Sequence, residues 1–289
     1  MRPDADARAA GAALPAVRAA RGRVVAGYAA AVLLAAVMLL PFLWMLSTAL
    51  MDEFEVFRYP PPLVPATPRW ENFPNALTQL PFGRFFVNST ILAACSVLGQ
   101  LVTGALGGYA FARYRFGGRG PLFAAYLGAL MIPAIVLLIP RFLIIDALGG
   151  VDTVAGLVST ELVSVWGVFL MRQFFLSLPR DMEEAARLDG AGEWTIFWRI
   201  AVPLARPALA TLALFAFVDA WKAFLWPLVI TQSMEMRTVE VGIAAFHGLF
   251  YANWPYQMAA AVTALVPVLV AFLASQRFFT RGIQLTGIR

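Results

Sequence analysis

Three chemically versatile side chains are almost missing from this sequence. Its 289 residues hold one cysteine (Cys95), one histidine (His247) and one lysine (Lys222). A lone cysteine excludes a disulfide within the chain and any cysteine metal cluster. A lone histidine removes the zinc sites and the Ser-His or Cys-His arrangements that need several such groups close together. The pattern G-x-x-x-x-G-K-[ST] does not occur, so the chain has no P-loop with which to cradle ATP. Charge is scarce as well, at 13% of residues. No internal repeat is visible, which argues against the repeat-built carriers.

Apolar residues are abundant, at 61%, and the mean hydropathy is +0.74. Lipid offers the backbone no hydrogen-bond partners, so such a chain reads as all-α, a polytopic membrane helix bundle. Crossing the hydrocarbon takes about 20 apolar residues. Six runs qualify, over residues 24–46, 86–111, 120–140, 154–176, 203–230 and 257–279, which predicts six transmembrane helices. Pro133 and Pro207 fall where a membrane helix tolerates a kink or a start. Sixteen basic residues lie in the N-terminal tail, near 112–120, within 172–206 and at the C-terminus. Five lie on the other side, namely Arg58, Arg69, Arg84, Arg141 and Arg237. The positive-inside rule then places both termini in the cytoplasm. Residues 1–23, rich in Ala and Arg, read as a disordered cytoplasmic tail, and 24–289 as one membrane domain. The first apolar run is too long for a signal h-region and reads as an uncleaved anchor. The external loop 47–85, with Pro60-Pro61-Pro62, reads as extended and irregular.

One charged, soluble-looking segment, about 178–203, interrupts this pattern on the cytoplasmic side. Pro179 suits a helix start, and Asp181 with Glu184 fits an acidic first turn or a capping box. Ala185 and Ala186 are small, so a partner surface could approach that face closely. Gly190 can take positive φ and end the helix. The segment reads as two short helices at an angle, forming a knob. Its spacing is Glu184-Ala185-Ala186, then Gly190, then Ile200 and Pro203, or E-A-A-x-x-x-G-x(9)-I-x-x-P.

This spacing resembles the cytoplasmic coupling loop of ABC-importer permeases. Further pieces fall in order along the chain: Trp70-Glu71-Asn72-Phe73, Phe85-Phe86-Val87-Asn88-Ser89 and Gly108-Tyr109-Ala110-Phe111-Ala112-Arg113. Met131-Ile132-Pro133, Ile139-Pro140, Leu178-Pro179, Trp221 through Pro227-Leu228 and Gly282-Ile283-Gln284-Leu285-Thr286-Gly287 follow. From residue 24 onward the chain is similar to the carbohydrate-uptake branch of type I ABC permeases, of the maltose-transporter kind. The resemblance implies a type I importer permease fold in the bacterial cytoplasmic (inner) membrane. It implies a second homologous permease, two ATPase subunits that bind ATP and Mg, and an external substrate-binding protein. This chain itself would hold no cofactor, bind no nucleic acid and catalyse no reaction. Glu184, Ala185, Ala186, Asp189 and Gly190 would couple ATPase closure to the pore, and the segment between the fifth and sixth spans would touch the binding protein.

Lys222 sits inside the fifth run, with Asp219 three residues earlier on the same helical face and Trp226 continuing it. A charge at the membrane centre costs about 2.5–3.5 kcal/mol on insertion scales, so such residues face a cavity or a partner. One reading is a translocation path, with Trp221 or Trp226 stacking on a sugar ring and Asp219 and Lys222 bonding to hydroxyls or to an anionic group. The other is an Asp–Lys pair that satisfies itself or grips the second permease. The resemblance implies a neutral amide at position 222, so the lysine keeps a sugar phosphate or glycerol phosphate open as the cargo. An ion-coupled carrier using Asp219 would leave the knob unexplained. Asn88 reads as an interfacial polar group or cap, and Gln100, Thr103 and Glu161 as packing between helices.

Overall fold

The computed structural model describes the backbone of residues 4–248 and 252–285, and the side chains of residues 24–248 and 252–276. Those residues form helices and turns; an isolated bridge between His247 and Ala252 is the one extended pairing described among them. The first helix, α1, runs Asp4–Ala49. The stretch expected to be a disordered tail therefore continues the first span as helix from residue 4. Ala and Arg are strong helix formers, and extending an existing helix carries no new nucleation cost.

The loop after α1 is not wholly irregular either. It contains a 3-10 turn, Glu55–Phe57, and a helix, α2, Asn72–Gln79. The buried Asn72 amide donates to the carbonyls of Ala49 and Met51, both at 2.9 Å. These belong to the last turn of α1 and the residues after it, where carbonyls lack donor partners within the helix. Glu55 accepts from the Ala66 N–H at 2.8 Å and closes the proline-rich stretch.

The long helix α3, Phe82–Arg113, is the axis of the molecule. Its N-terminal half (Phe82, Phe85, Leu92) belongs to one buried cluster with Trp221, Trp226 and Phe246. Its C-terminal half (Ala105, Tyr109, Ala112) belongs to a second with Met171, Phe175, Phe197 and Leu212. In lipid the hydrophobic effect gives helices little reason to associate, so close packing must do it. Gly108 allows this: a Cβ there would lie 2.6 Å from the Met171 Cβ.

Three expected spans are broken rather than continuous. The third is α4, Arg119–Gly128, then α5, Leu138–Ala147, with 3-10 turns between and a bend of 93° at Ile132-Pro133. Ile132 precedes a proline and is extended (φ −85°, ψ 118°), a conformation that stops a helix. The fourth is α6, Val154–Ser159, and α7, Val165–Ser177. In the gap, Gln100 Nε2 donates to the Glu161 carbonyl at 3.0 Å and Thr103 Oγ1 to that of Leu162 at 3.3 Å, so α3 satisfies the freed backbone.

The chain then forms α8, Asp181–Leu188, and α9, Glu193–Ile196, and passes through a π-helical turn, Phe197–Ala201, into α10, Val202–Leu204. A bend of 74° leads to α11, Arg206–Trp221. The expected fifth span thus ends early, and α12, Leu225–Ile230, follows as a separate short helix. Beyond lie α13, Val239–Ala244, and α14, Trp254–Leu285. Three helical stretches are long and apolar enough to cross a membrane by themselves, Val24–Ala49, Phe82–Arg113 and Trp254–Gln276, and up to five if each bent pair counts as one. Thr286 and Gly287, which close the C-terminal motif, lie outside the described residues.

Candidate functional site

The knob forms as the residues between 178 and 203 suggest, with one difference at its start. Arg180 caps α8, and no side chain bonds at the cap, so the capping-box alternative is not used. Asp181, Glu183 and Glu184 instead fill the first turn, where negative charge meets the positive end of the helix dipole. At the far end Gly190 has φ +83°. Its N–H donates to the Arg187 carbonyl at 3.0 Å, and the Ala191 N–H to that of Ala186 at 2.9 Å. This is a Schellman cap, and a residue with a Cβ at Gly190 would be strained. The Arg187 guanidinium then grips the Glu193 carboxylate with bonds of 2.7 and 3.2 Å and ties α8 to α9. That bond, more than any other influence, raises Arg187 above its already high pKa. Tyr114 donates to the same carboxylate at 3.2 Å, and burial first, then this bond, raises its phenol.

Of the expected coupling residues, Glu184, Ala185, Asp189 and Gly190 are exposed and Ala186 is half-buried. Around them stand Met182, Leu188 and Trp194, with Leu188 90% exposed. Exposed apolar side chains rimmed by charge mark a partner surface.

The inward face of α8 holds a residue that the sequence reading missed. Glu183 is the buried residue of this helix, and its Oε1 lies 2.8 Å from Nε of Arg113, the last residue of α3. Arg113 Nη2 also donates to the Leu178 carbonyl at 3.0 Å. Removing one member of such a buried pair costs about 3–5 kcal/mol, because the other charge is left unpaired. Two adjacent glutamates gave no sign of which one turns inward. The position three residues before half-buried Ala186 was the available signal.

The expected translocation face is only partly assembled. Trp221 is buried between Phe217 and Phe86, and its indole N–H donates to the Ala264 carbonyl at 3.0 Å. Trp226 is buried too and donates to the Leu157 carbonyl at 3.1 Å. Both rings are committed to packing, so neither offers a face to a sugar, and the stacking role expected for them is withdrawn. Asp219 and Lys222 are exposed, and among the described residues they form no ion pair with each other. The self-satisfied pair is therefore not formed. Lys222 instead acts on Glu240 of α13: burial raises that carboxyl above its ordinary value, and the lysine charge pulls it back down.

At the other end of α3, Asn88 fixes the segment between α12 and α14, the outer segment of the expected topology. Its Nδ2 donates to the carbonyls of Glu235 and Arg237 at 2.7 and 2.9 Å, while Ser89 Oγ accepts from the Val239 N–H at 2.9 Å. Asp152 accepts from the backbone N–H groups of Gln232 and Ser233 at 2.8 and 3.0 Å.

A helical membrane protein carrying an exposed, charged knob is the class defined by these features. Residues 100–285 match the family described as binding-protein-dependent transport system inner membrane component, and the chain belongs to that family. It is 34% identical over 243 residues to the sn-glycerol-3-phosphate transport system permease protein UgpE of Yersinia pestis, covering 81% of this chain and 86% of that protein. It is 31% identical over 254 residues to the diacetylchitobiose uptake system permease protein NgcG of Streptomyces coelicolor, covering 86% and 84%. Among solved structures, a chain of a bacterial ABC transporter involved in import of the acidic polysaccharide alginate superposes with a TM-score of 0.77 at 24% identity, over 90% of this chain and 98% of that one. That likeness establishes the fold.

Proposed function

We propose that this chain is the membrane-spanning permease subunit of an ATP-driven carbohydrate importer. The observation that carries the reading is the knob, an exposed pair of short helices joined through Gly190 and held by Arg187–Glu193. In this reading residues 24–289 form the permease domain with six membrane crossings, some of them broken helices, and both termini in the cytoplasm. The knob docks on an ATPase subunit. Two ATPases, which bind the ATP and Mg, and a second permease complete the complex. An external binding protein delivers sugar to the side that holds the 231–248 segment. Family membership and the uptake permeases among the relatives support this.

A second reading, a sugar phosphate or glycerol phosphate as cargo, is favoured by exposed Lys222 and by the likeness to glycerol-3-phosphate permeases.

The test is the reconstituted complex carrying Glu184→Lys or Gly190→Val. The first reverses a charge on the docking face. The second places a β-branched residue at positive φ, which costs about 1–2 kcal/mol. At normal abundance, each variant is expected to lose substrate-stimulated ATP hydrolysis and uptake together, by about tenfold or more. Unchanged coupling in both would overturn the proposal.

A further inference from the structure

We propose that Arg113 is a positioning residue that locks α8 to the inner end of α3, so that α3 joins the ATPase-docking face to the outer segment; this rests on the coupling reading above. The guanidinium makes two bonds in different directions. One reaches Glu183 inside α8, and the other reaches the Leu178 carbonyl just before Pro179. Together they hold both the start of the helix and its first turn. The side chains of Arg113 and Glu183 are 4% and 5% exposed, and theirs is the one ion pair joining α8 to α3 among the described residues.

Buried ion pairs rarely stabilise more than a well-packed apolar pair of similar volume, whereas their bonds fix direction. The pair therefore gives α8 an orientation relative to α3 that packing alone would not. The other end of α3 is fastened as firmly. Asn88 and Ser89 bind three backbone groups of the outer segment, at Glu235, Arg237 and Val239. From Asn88 to Arg113 the helix spans about 37 Å without a break, at about 1.5 Å per residue. A displacement of the outer segment is delivered to α8 through this single rod, provided that the Arg113 clamp is closed.

The experiment uses the reconstituted complex of both permeases, both ATPases and the binding protein, in a Cys95→Ser background with Ala185→Cys as a cross-linking reporter on the ATPase. The double variant Arg113→Met with Glu183→Met removes both charges and leaves none unpaired. It is expected to assemble and to cross-link at the parental level. The ratio of binding-protein-stimulated to basal ATP hydrolysis is expected to fall about tenfold at matched complex. A parental ratio in the Met pair would overturn the proposal. Loss of assembly by the Met pair would overturn it too, because the charges would then be holding the fold and not the position. Failure of Ala185→Cys to cross-link in the parental complex would overturn the coupling reading itself, and with it this proposal.

Discussion

Lys222 shows how a single residue keeps its significance while its partners change. In sequence it stood beside Asp219 and two tryptophans. In the structure the tryptophans turn into the core, and the lysine charge opposes the upward shift that burial gives the Glu240 carboxyl. An indole N–H in an apolar site needs an acceptor, and backbone carbonyls of α14 and α6 supply it to Trp221 and Trp226. Which tryptophans would be satisfied in this way was not legible, because the acceptors lie 43 and 69 residues away. Lys222→Asn is expected to leave complex abundance unchanged and to shift uptake toward neutral over anionic sugars by about tenfold, equivalent to about 1.4 kcal/mol. Competition uptake assays at matched protein level measure this. The double variant Asp219→Asn with Lys222→Asn decides whether the pair belongs to the path: full uptake with unchanged specificity would remove both residues from it.

Among the elements, the long uniform runs were read correctly, Pro133 and Pro207 marked the kink of the third span and the start of α11, and the break in the fourth span was not foreseen. The period and length of α3 and α14 leave little choice of structure. The gap between α6 and α7 was not read because Thr160, Glu161, Leu162, Val163 and Ser164 include no glycine or proline to mark a break. It exists because Gln100 and Thr103 of a different element satisfy its carbonyls. The same dependence on distant partners governs the outer segment. Asp152, itself at φ +59°, binds its start. Hydrogen bonds from the Ser233 side chain, and then from the backbone of Ser233 and Gln232, hold this carboxyl below its usual range against the opposing effect of burial. A depressed pKa means that the tether's contribution is present above the ordinary carboxylate pKa and is lost as pH falls through the lowered value. Hydrogen exchange at Gln232 and Ser233, corrected for intrinsic rates, is therefore expected to accelerate only in acid below the usual carboxylate range. Asp152→Ala should raise it by about tenfold at neutral pH and abolish the acid dependence.

For the whole molecule, the arginine asymmetry predicts a topology that labelling can check. Cys95 is half-buried within α3 and packs against a core cluster, so membrane-impermeant thiol reagents should modify it poorly. In a Cys95→Ser background, Asp189→Cys on the knob should react only from the cytoplasmic side, and Tyr59→Cys in the loop after α1 only from outside. Labelling of both from one side would invert or discard the topology. The described side chains of α1 are exposed from Val24 to Trp44, as with Val32 at 68% and Leu40 at 59%. For an isolated chain that would be an aggregation hazard. In a bilayer, lipid covers it.

Composition and spacing by themselves determined the class of the protein. An apolar chain of this length and composition spans lipid as helices, and the ordered E-A-A spacing points to the family that the chain belongs to. The knob was also local, because short helices, an acidic first turn and a glycine cap depend on residues within four or five positions of one another. The tertiary structure alone decided which glutamate of the knob faces inward, that the fourth span opens between α6 and α7, and that the tryptophans serve the core. Each of those outcomes depends on a donor or acceptor brought from dozens of residues away, and hydrogen-bond satisfaction in a medium without water is a property of the assembled bundle, not of any segment.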